Sequence, residues 1–403
     1  MWYDGLMGLL RFDGVLGLNG WGVVGYALLI THITIASVTI YLHRYSAHRA
    51  LELHPGVRLF FRAWLWMTTG MLTRAWTAVH RKHHARAETE EDPHSPQTRG
   101  LLKVMLEGAE LYKTEAKDPE TLAKYGKGTP NDWFERTLFS HDRWGISIMF
   151  VVNLILLGPI GITVWAVQMA WIPVWAAGVI NGLGHHSGYR NFECDDAATN
   201  LVPWGILIGG EELHNNHHTF PSSAKMSVKW WEFDIGWMYI RILSMLGLAE
   251  VKRLAPVDVG RSATKGEIDM DMLTGVINNR FHIMAHYART VVAPLVAAER
   301  ERADAAGARL LRGAKAALCR SEAVMDEANR AYLDQLREHS QLLDMIYEKR
   351  LELQALWENR HATREELHQS LVDWCRKAEE SGIDVLREFA ARLRTYSIGP
   401  SPA

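Results

Sequence analysis

Residues 209–220 read Gly209-Gly-Glu-Glu-Leu-His-Asn-Asn-His-His-Thr-Phe220. Three histidines, His214, His217 and His218, stand here in the pattern HxxHH. On a helix, residues three and four apart share a face. Three imidazoles then point into one small volume, where protonation would make them repel. A metal ion removes that conflict and selects the neutral ring. A polar helix face that happens to carry histidines would explain one such stretch, but the chain has more. His80-Arg-Lys-His83-His84 repeats the pattern, and His43-Arg-Tyr-Ser-Ala-His48 adds a looser pair. Eight of the nineteen histidines therefore sit in three tight boxes, which signals a metal centre. His43 and His48 lie five apart, about 140° around an α-helix, so these two need not face the same ion.

At 403 residues the chain is long enough for two domains. Its formal net charge of −2 argues against nucleic acid as a partner. The three cysteines, Cys194, Cys319 and Cys375, form no pair motif and read as reduced. A mean hydropathy of −0.11 averages two unlike parts. Apolar residues crowd the first part, and charges crowd the last third. No cleavable signal pattern is expected at the start, because Asp4, Arg11 and Asp13 interrupt any early apolar run.

From Gly14 to Leu42 no residue is charged. About 20 residues cross the hydrocarbon of a bilayer, so Trp21 to Leu42 suffices for a span. His32 within it reads as packed against a neighbouring helix. Arg44 and Arg49 beside the first box place that end on the cytoplasmic side. Val57 to Thr77 is apolar and tryptophan-rich but carries three arginines. A crossing there would put the second box opposite the first, so the stretch is expected to be re-entrant or interfacial. Trp144 to Tyr189 contains no Asp, Glu, Lys or Arg. It is long enough for a helical hairpin, turning near Gly158-Pro-Ile-Gly161 or near Pro173, which returns the chain to the side of the first two boxes.

After the hairpin comes Asn181-Gly-Leu-Gly-His185-His186, whose glycines allow close backbone approach and whose His185 lies where a ninth imidazole can join. His186 reads as a helix cap. Glu211-x-x-His214 also has the form used by soluble carboxylate-bridged di-iron bundles, as do Glu358-x-x-His361 and Glu365-x-x-His368. That alternative needs further glutamates on facing helices, which the boxes do not supply. From about Ala255 the chain alternates charges with Ala and Leu. Leu333, Leu336, Leu343, Ile346 and Leu353 fall at helical spacing, interrupted by His339 and Arg350. Two or three long amphipathic helices are expected, bundled or in a short coiled coil, with Gly382 setting off the last.

Eight or nine imidazoles exceed the needs of one ion. Zinc would be satisfied by four each but has no redox chemistry. Imidazole also suits iron, which takes five or six ligands and leaves a position for oxygen. Two irons at the cytoplasmic mouth of membrane helices can act on an unreactive C–H bond of a lipid.

HRYSAH, HRKHH and HNNHH, in this order and with this membrane pattern, resemble the membrane-bound fatty acyl desaturases, of the bacterial delta-9 type. The resemblance covers roughly residues 20–250. It includes Asn181 and His185, which match an Asn-x-x-x-His of the acyl-CoA desaturases, and Trp231-Glu-Phe-Asp234. It implies two iron ions (Fe2+/Fe3+) held by His43, His48, His80, His83, His84, His185, His214, His217 and His218, with Asn181 holding a metal-bound water. It implies further a cis double bond, of delta-9 position, made with O2 in a saturated chain carried on phospholipid or CoA.

The chain has no CxxC cluster and no dinucleotide fingerprint, and His54-Pro-Gly56 lacks the second glycine of a fused haem module. Electrons are therefore expected from elsewhere, and the resemblance implies a separate ferredoxin- or flavin-type donor and reductase. The expected fold is all-α: an integral membrane helical bundle with a cytoplasmic histidine-rich di-iron cap (1–255) and an amphipathic helical extension (256–403). The location implied is the cell inner membrane, multi-pass, with the site facing the cytoplasm. The family's usual four spans are three at most here, and the extension lies outside its common core; it offers a surface for homo-oligomers. Alternatives are a membrane di-iron lipid hydroxylase, a metal transporter, whose histidines would instead line a path within spans, and a scaffold acting through the extension.

Overall fold

The computed structural model describes residues 13–256, 268–359 and 361–396; Asp4 and Arg11 lie outside them. The chain divides into two compact units. One is Met1–Arg190 with Asp196–Ala255, the other Asn191–Asp195 with Pro256–Ala403. Described residues are mostly helical, and the strands are short: β1 (Leu51–Leu53), β2 (Trp204–Gly205), β3 (Phe233–Asp234) and β4 (Ala249–Val251). β1 pairs antiparallel with β4 and β2 parallel with β3.

In the first unit, helix α1 runs Gly20–Ala47. Asn19 caps it by accepting from the Gly22 N–H at 2.9 Å. It is α-helical to Ser37 and then a π-helix from Val38 to Ala47. His32 pairs with the Tyr239 hydroxyl at 2.6 Å, as a packed intramembrane histidine should. α2 (Pro55–Thr69) starts on a proline, and the His54 ring caps it through the Gly56 N–H. His54-Pro-Gly56 is thus a helix start.

α2 stops at Gly70, whose φ of 65° is left-handed; a Cβ there would lie 2.7 Å from Ile146. α3 (Thr73–Arg86) then sets off carrying the second box. Val57 to Thr77 is therefore two helices, and α2 at 15 residues is short for a crossing.

α4 (Leu101–Glu115) lies against the hairpin of α5 (Asp142–Leu157) and α6 (Ile160–Leu183), packing on the latter's C-terminal half. The hairpin turns at Gly158, φ 69°, and Pro173 lies inside α6. A proline has no N–H to give an i→i−4 bond, and α6 changes there from α to π geometry, through Ile180. Close approach of α4 requires glycine: a Cβ on Gly182 would lie 2.9 Å from Met105.

α1 and α6 are the two described helices long and apolar enough to span a bilayer; α5 has only 16 residues. The spans thus number two candidates where the sequence allows three. The short α7 (His214–Thr219) carries the third box, and α8 (Ile235–Met245) follows β3.

The second unit has its own apolar core, in which Leu333, Leu336, Leu343, Ile346 and Leu353 are all buried. Its helices are shorter and more numerous than expected, among them Glu327–His339, Gln341–Glu358, Arg364–Glu380 and Asp384–Leu393. Ser340 breaks the heptad by capping the second of these, which leaves His339 exposed. Arg350 is buried and donates to the Cys319 carbonyl at 2.7 Å. Gly382, φ 73°, sets off the last helix. All three cysteines are buried.

Because the hairpin of α5 and α6 returns the chain to the side it left, tags inserted after Arg86 and after Lys252 should both be labelled from the same side of the membrane. Labelling from opposite faces would show that a crossing lies between the boxes.

Candidate metal centre

His43 and His48 lie on the π-helical end of α1. There hydrogen bonds run i→i+5, and the His48 N–H reaches the His43 carbonyl at 3.1 Å. One turn therefore returns residue 48 to the side of residue 43, and the two rings sit 4.8 Å apart. The separation expected from α-helical geometry does not apply. α3 contributes His80, His83 and His84, and α7 contributes His214, His217 and His218. His185 follows the end of α6, while the exposed His186 pairs with the Ser187 hydroxyl at 2.6 Å.

These nine imidazoles gather into two groups. His43, His48, His80, His84 and His217 form one, and His83, His185, His214 and His218 the other; within each, the possible ligand atoms lie within 4.8 Å of one another. The second and third boxes each divide between the groups.

Four carboxylates stand behind the rings. Asp92 lies 3.0 Å from His83 Nδ1, Glu88 2.8 Å from His185 Nδ1, Asp196 2.9 Å from His218 Nδ1 and Glu211 2.6 Å from His43 Nδ1. Burial works to raise Asp92 and Glu88, yet His83 and His185 respectively hold both below the usual carboxylate range. Ionised carboxylates only accept, so His83 and His185 donate to them from Nδ1, which in the neutral ring leaves Nε2 as a bare acceptor. The Nε2 atoms nevertheless face each other: His83 to His185 at 3.2 Å, His83 to His218 at 3.4 Å and His185 to His214 at 3.0 Å. In the other group His48 faces His80 at 2.8 Å, and His217 faces His84 at 2.8 Å and His43 at 3.0 Å.

Bare acceptors converge in this way around a cation. Burial also pushes His48 down to about 3 and His218 to about 4, the latter despite Asp196, so both are neutral and ready to ligate at pH 7. His83 alone is raised, because Asp92 outweighs burial. Glu211 is pushed up to about 8 by burial, against the pull of Arg44 and Thr39. Five and four imidazoles fit two transition-metal ions of the iron type, a cation taking the place of the proton that Asp92 favours on His83.

A buried lattice ties the first box to the third. Arg44, 1% exposed, donates to Asp234 at 2.8 Å, to the Gly209 carbonyl at 2.9 Å and to the Ala224 carbonyl at 2.8 Å. Asp234 also caps α8 through the Trp237 N–H. Glu232 accepts from the Asn216 amide at 2.8 Å and from Tyr189 at 2.9 Å. Trp231-Glu-Phe-Asp234 thereby fixes α7.

Beside the metal groups lies a cavity of about 180 Å³, walled largely by apolar side chains of α1, α3, α4 and α6, with Thr68 and Thr69 of α2, and touching His43, His80, His214 and Asn181. His94 lines it too, stacked on His83 at 4.5 Å and pushed down to about 3 by burial.

Sequence reasoning missed Glu88, Asp92, Asp196 and His94 as parts of the site, and read Glu211 only as a rival ligand. Asp92 and His94 lie in Asp92-Pro-His-Ser-Pro96 just past the second box, which flags them. Asp196 has no local signal.

Residues 19–241 match the family model described as fatty acid desaturase. Residues 274–399, under half of the chain, match one described as transposase. The chain is 30% identical over 240 residues to an sn-1 stearoyl-lipid 9-desaturase of Anabaena variabilis, covering 58% of this chain and 85% of that one. It is 30% identical over 244 residues to an sn-2 palmitoyl-lipid 9-desaturase of Nostoc sp. (strain 36), covering 57% and 81%. It is 27% identical over 239 residues to a delta-9 acyl-lipid desaturase 1 of Arabidopsis thaliana, covering 57% and 74%.

Two outcomes follow from this geometry. Asp92→Asn should weaken metal binding about 10- to 100-fold, read as metal lost during dialysis against a chelator; unchanged retention would contradict the role given to Asp92. Arg44→Met leaves Asp234 buried without its partner and should destabilise the first unit by about 3–5 kcal/mol, read as thermal unfolding in detergent.

Proposed function

The chain belongs to the fatty acid desaturase family and is a membrane-associated oxidoreductase acting on fatty acyl chains; on that premise we propose that it inserts a cis double bond at the delta-9 position of a saturated chain carried on phospholipid or CoA. The observation that carries this reading is the convergence of nine imidazoles beside a largely apolar cavity, which three of them, His43, His80 and His214, line. Two iron ions held by His43, His48, His80, His84 and His217 and by His83, His185, His214 and His218 would supply the oxygen chemistry that removes hydrogen from a methylene pair. The names of the relatives support the bond position and the lipid carrier.

The protein's own groups do the rest. Asp92, Glu88 and Asp196 hold the rings of His83, His185 and His218 by their Nδ1 atoms, so that these rings need not turn during turnover. Asn181, on the cavity wall near His214, positions a water beside the four-imidazole group. The cavity's apolar wall takes the chain out of water and fixes which carbons lie against the metal groups. In this reading the chain takes two electrons from a separate ferredoxin- or flavin-type donor at the cytoplasmic face of the inner membrane. The second unit, a folded body with its own core, serves assembly or donor docking in this reading.

Expressed in a host that lacks desaturases, the chain should yield lipids with a cis-9 double bond, identified by gas chromatography with mass spectrometry of derivatised acyl chains. A hydroxyl in place of the double bond, or no change in any lipid, would overturn the proposal. His217→Ala should lose the activity and the iron together, and full activity in that variant would contradict the ligand set.

A further inference from the structure

One wall of the cavity carries a polar group with no task in the metal centre. Gln168 on α6 is 2% exposed and lines the cavity. Its Oε1 accepts from the Asn153 amide at 2.8 Å, and Asn153 Oδ1 in turn accepts from the Tyr26 hydroxyl at 3.0 Å. This chain of bonds crosses α1, α5 and α6 and fixes the Gln168 amide in place. Its Nε2, buried, has no hydrogen-bond partner. Thr68 and Thr69, on the same cavity wall, return their hydroxyls to helix carbonyls at 2.8 and 2.6 Å, so they present methyl groups instead. Gln168 stands thirteen residues before Asn181 on one helix, roughly 20 Å from it along the axis. A donor inside a membrane helix that faces an apolar cavity is costly unless its occupant supplies an acceptor.

We propose that Gln168 is the polar stop of the acyl cavity and sets the upper chain length of the substrate. The inference rests on the reading of the cavity as the acyl site. Water can satisfy the amide when the chain ends short of it. A longer chain displaces that water with methylenes and leaves the N–H groups unpaired, which works against binding. The substrate class is therefore saturated chains whose methyl end falls before Gln168.

The test feeds saturated chains of graded length to membranes holding the full chain and measures the unsaturated fraction of each. Gln168→Leu should raise the fraction for the first length beyond the wild-type limit about 10-fold, with metal content unchanged. Asn153→Leu/Gln168→Leu removes both partners, which is better tolerated than removing one, and should give the same shift. Asn153→Leu alone removes the anchor but keeps the amide, and should shift the limit less than Gln168→Leu does. An unchanged limit in either Gln168 variant that holds its metal, or a shift of equal size in Asn153→Leu, overturns the proposal.

The unaltered protein offers a test that does not depend on a variant folding. A chain one step beyond the limit with a terminal hydroxyl should be desaturated better than its methyl-ended equivalent, because the hydroxyl oxygen accepts from Gln168. The opposite order overturns the proposal. Absence of any double bond in wild-type membranes would instead sink the desaturase reading, which is a separate failure.

Discussion

The structure depends on imidazole rings whose inner nitrogens have been stripped of any hydrogen-bonding alternative. Where Nδ1 of a neutral ring donates to a carboxylate, Nε2 can only accept, and His83 and His185, each paired in this way, face one another at 3.2 Å. Such a cluster is unfavourable by itself and becomes favourable around a cation. The folding of the first unit and its metal chemistry are in this sense one problem. The carboxylates that pin the rings come from the segment after α3 (Glu88, Asp92), from the loop before β2 (Asp196) and from the residues before α7 (Glu211), so correct ligation requires most of the unit to be in place.

Two departures from α-helical geometry serve this centre. The π-helical end of α1 brings His43 and His48 to one side, where an α-helix would spread them. The π stretch after Pro173 carries α6 to Asn181 and, just beyond it, His185. Both lie at the ends of the apolar helices nearest the histidines. Arg44 completes the arrangement by holding the carbonyls of Gly209 and Ala224 and the carboxylate of Asp234, which locks the first box against the third. A buried cation with three acceptors does this where an apolar side chain could not.

Much of the centre was legible because its signal is local. Box spacing identified eight of the nine histidines in the two groups, and His185, whose place after a charge-free hairpin left it open, was added by the Asn181-x-x-x-His185 resemblance. The helical nature of the extension and the break at Gly382 were equally local. What could not be read depended on contacts distant in sequence or on helix type. The pairing of His43 with His48 needed a π-helix, which side-chain spacing does not announce. Asp196 meets His218 across 22 residues and Glu88 meets His185 across 97. The turn at Gly158 rather than Pro173 depended on whether α6 could absorb a proline, which it does by changing its hydrogen-bond register.

The central claim is that two metal ions sit in nitrogen-rich shells of five and four imidazoles. Iron-edge X-ray absorption on the purified, active protein, with iron counted per chain, addresses it most directly. The account predicts two irons per chain with first shells dominated by histidine nitrogen. A single iron, or two irons in an oxygen-dominated, carboxylate-bridged shell, would contradict it.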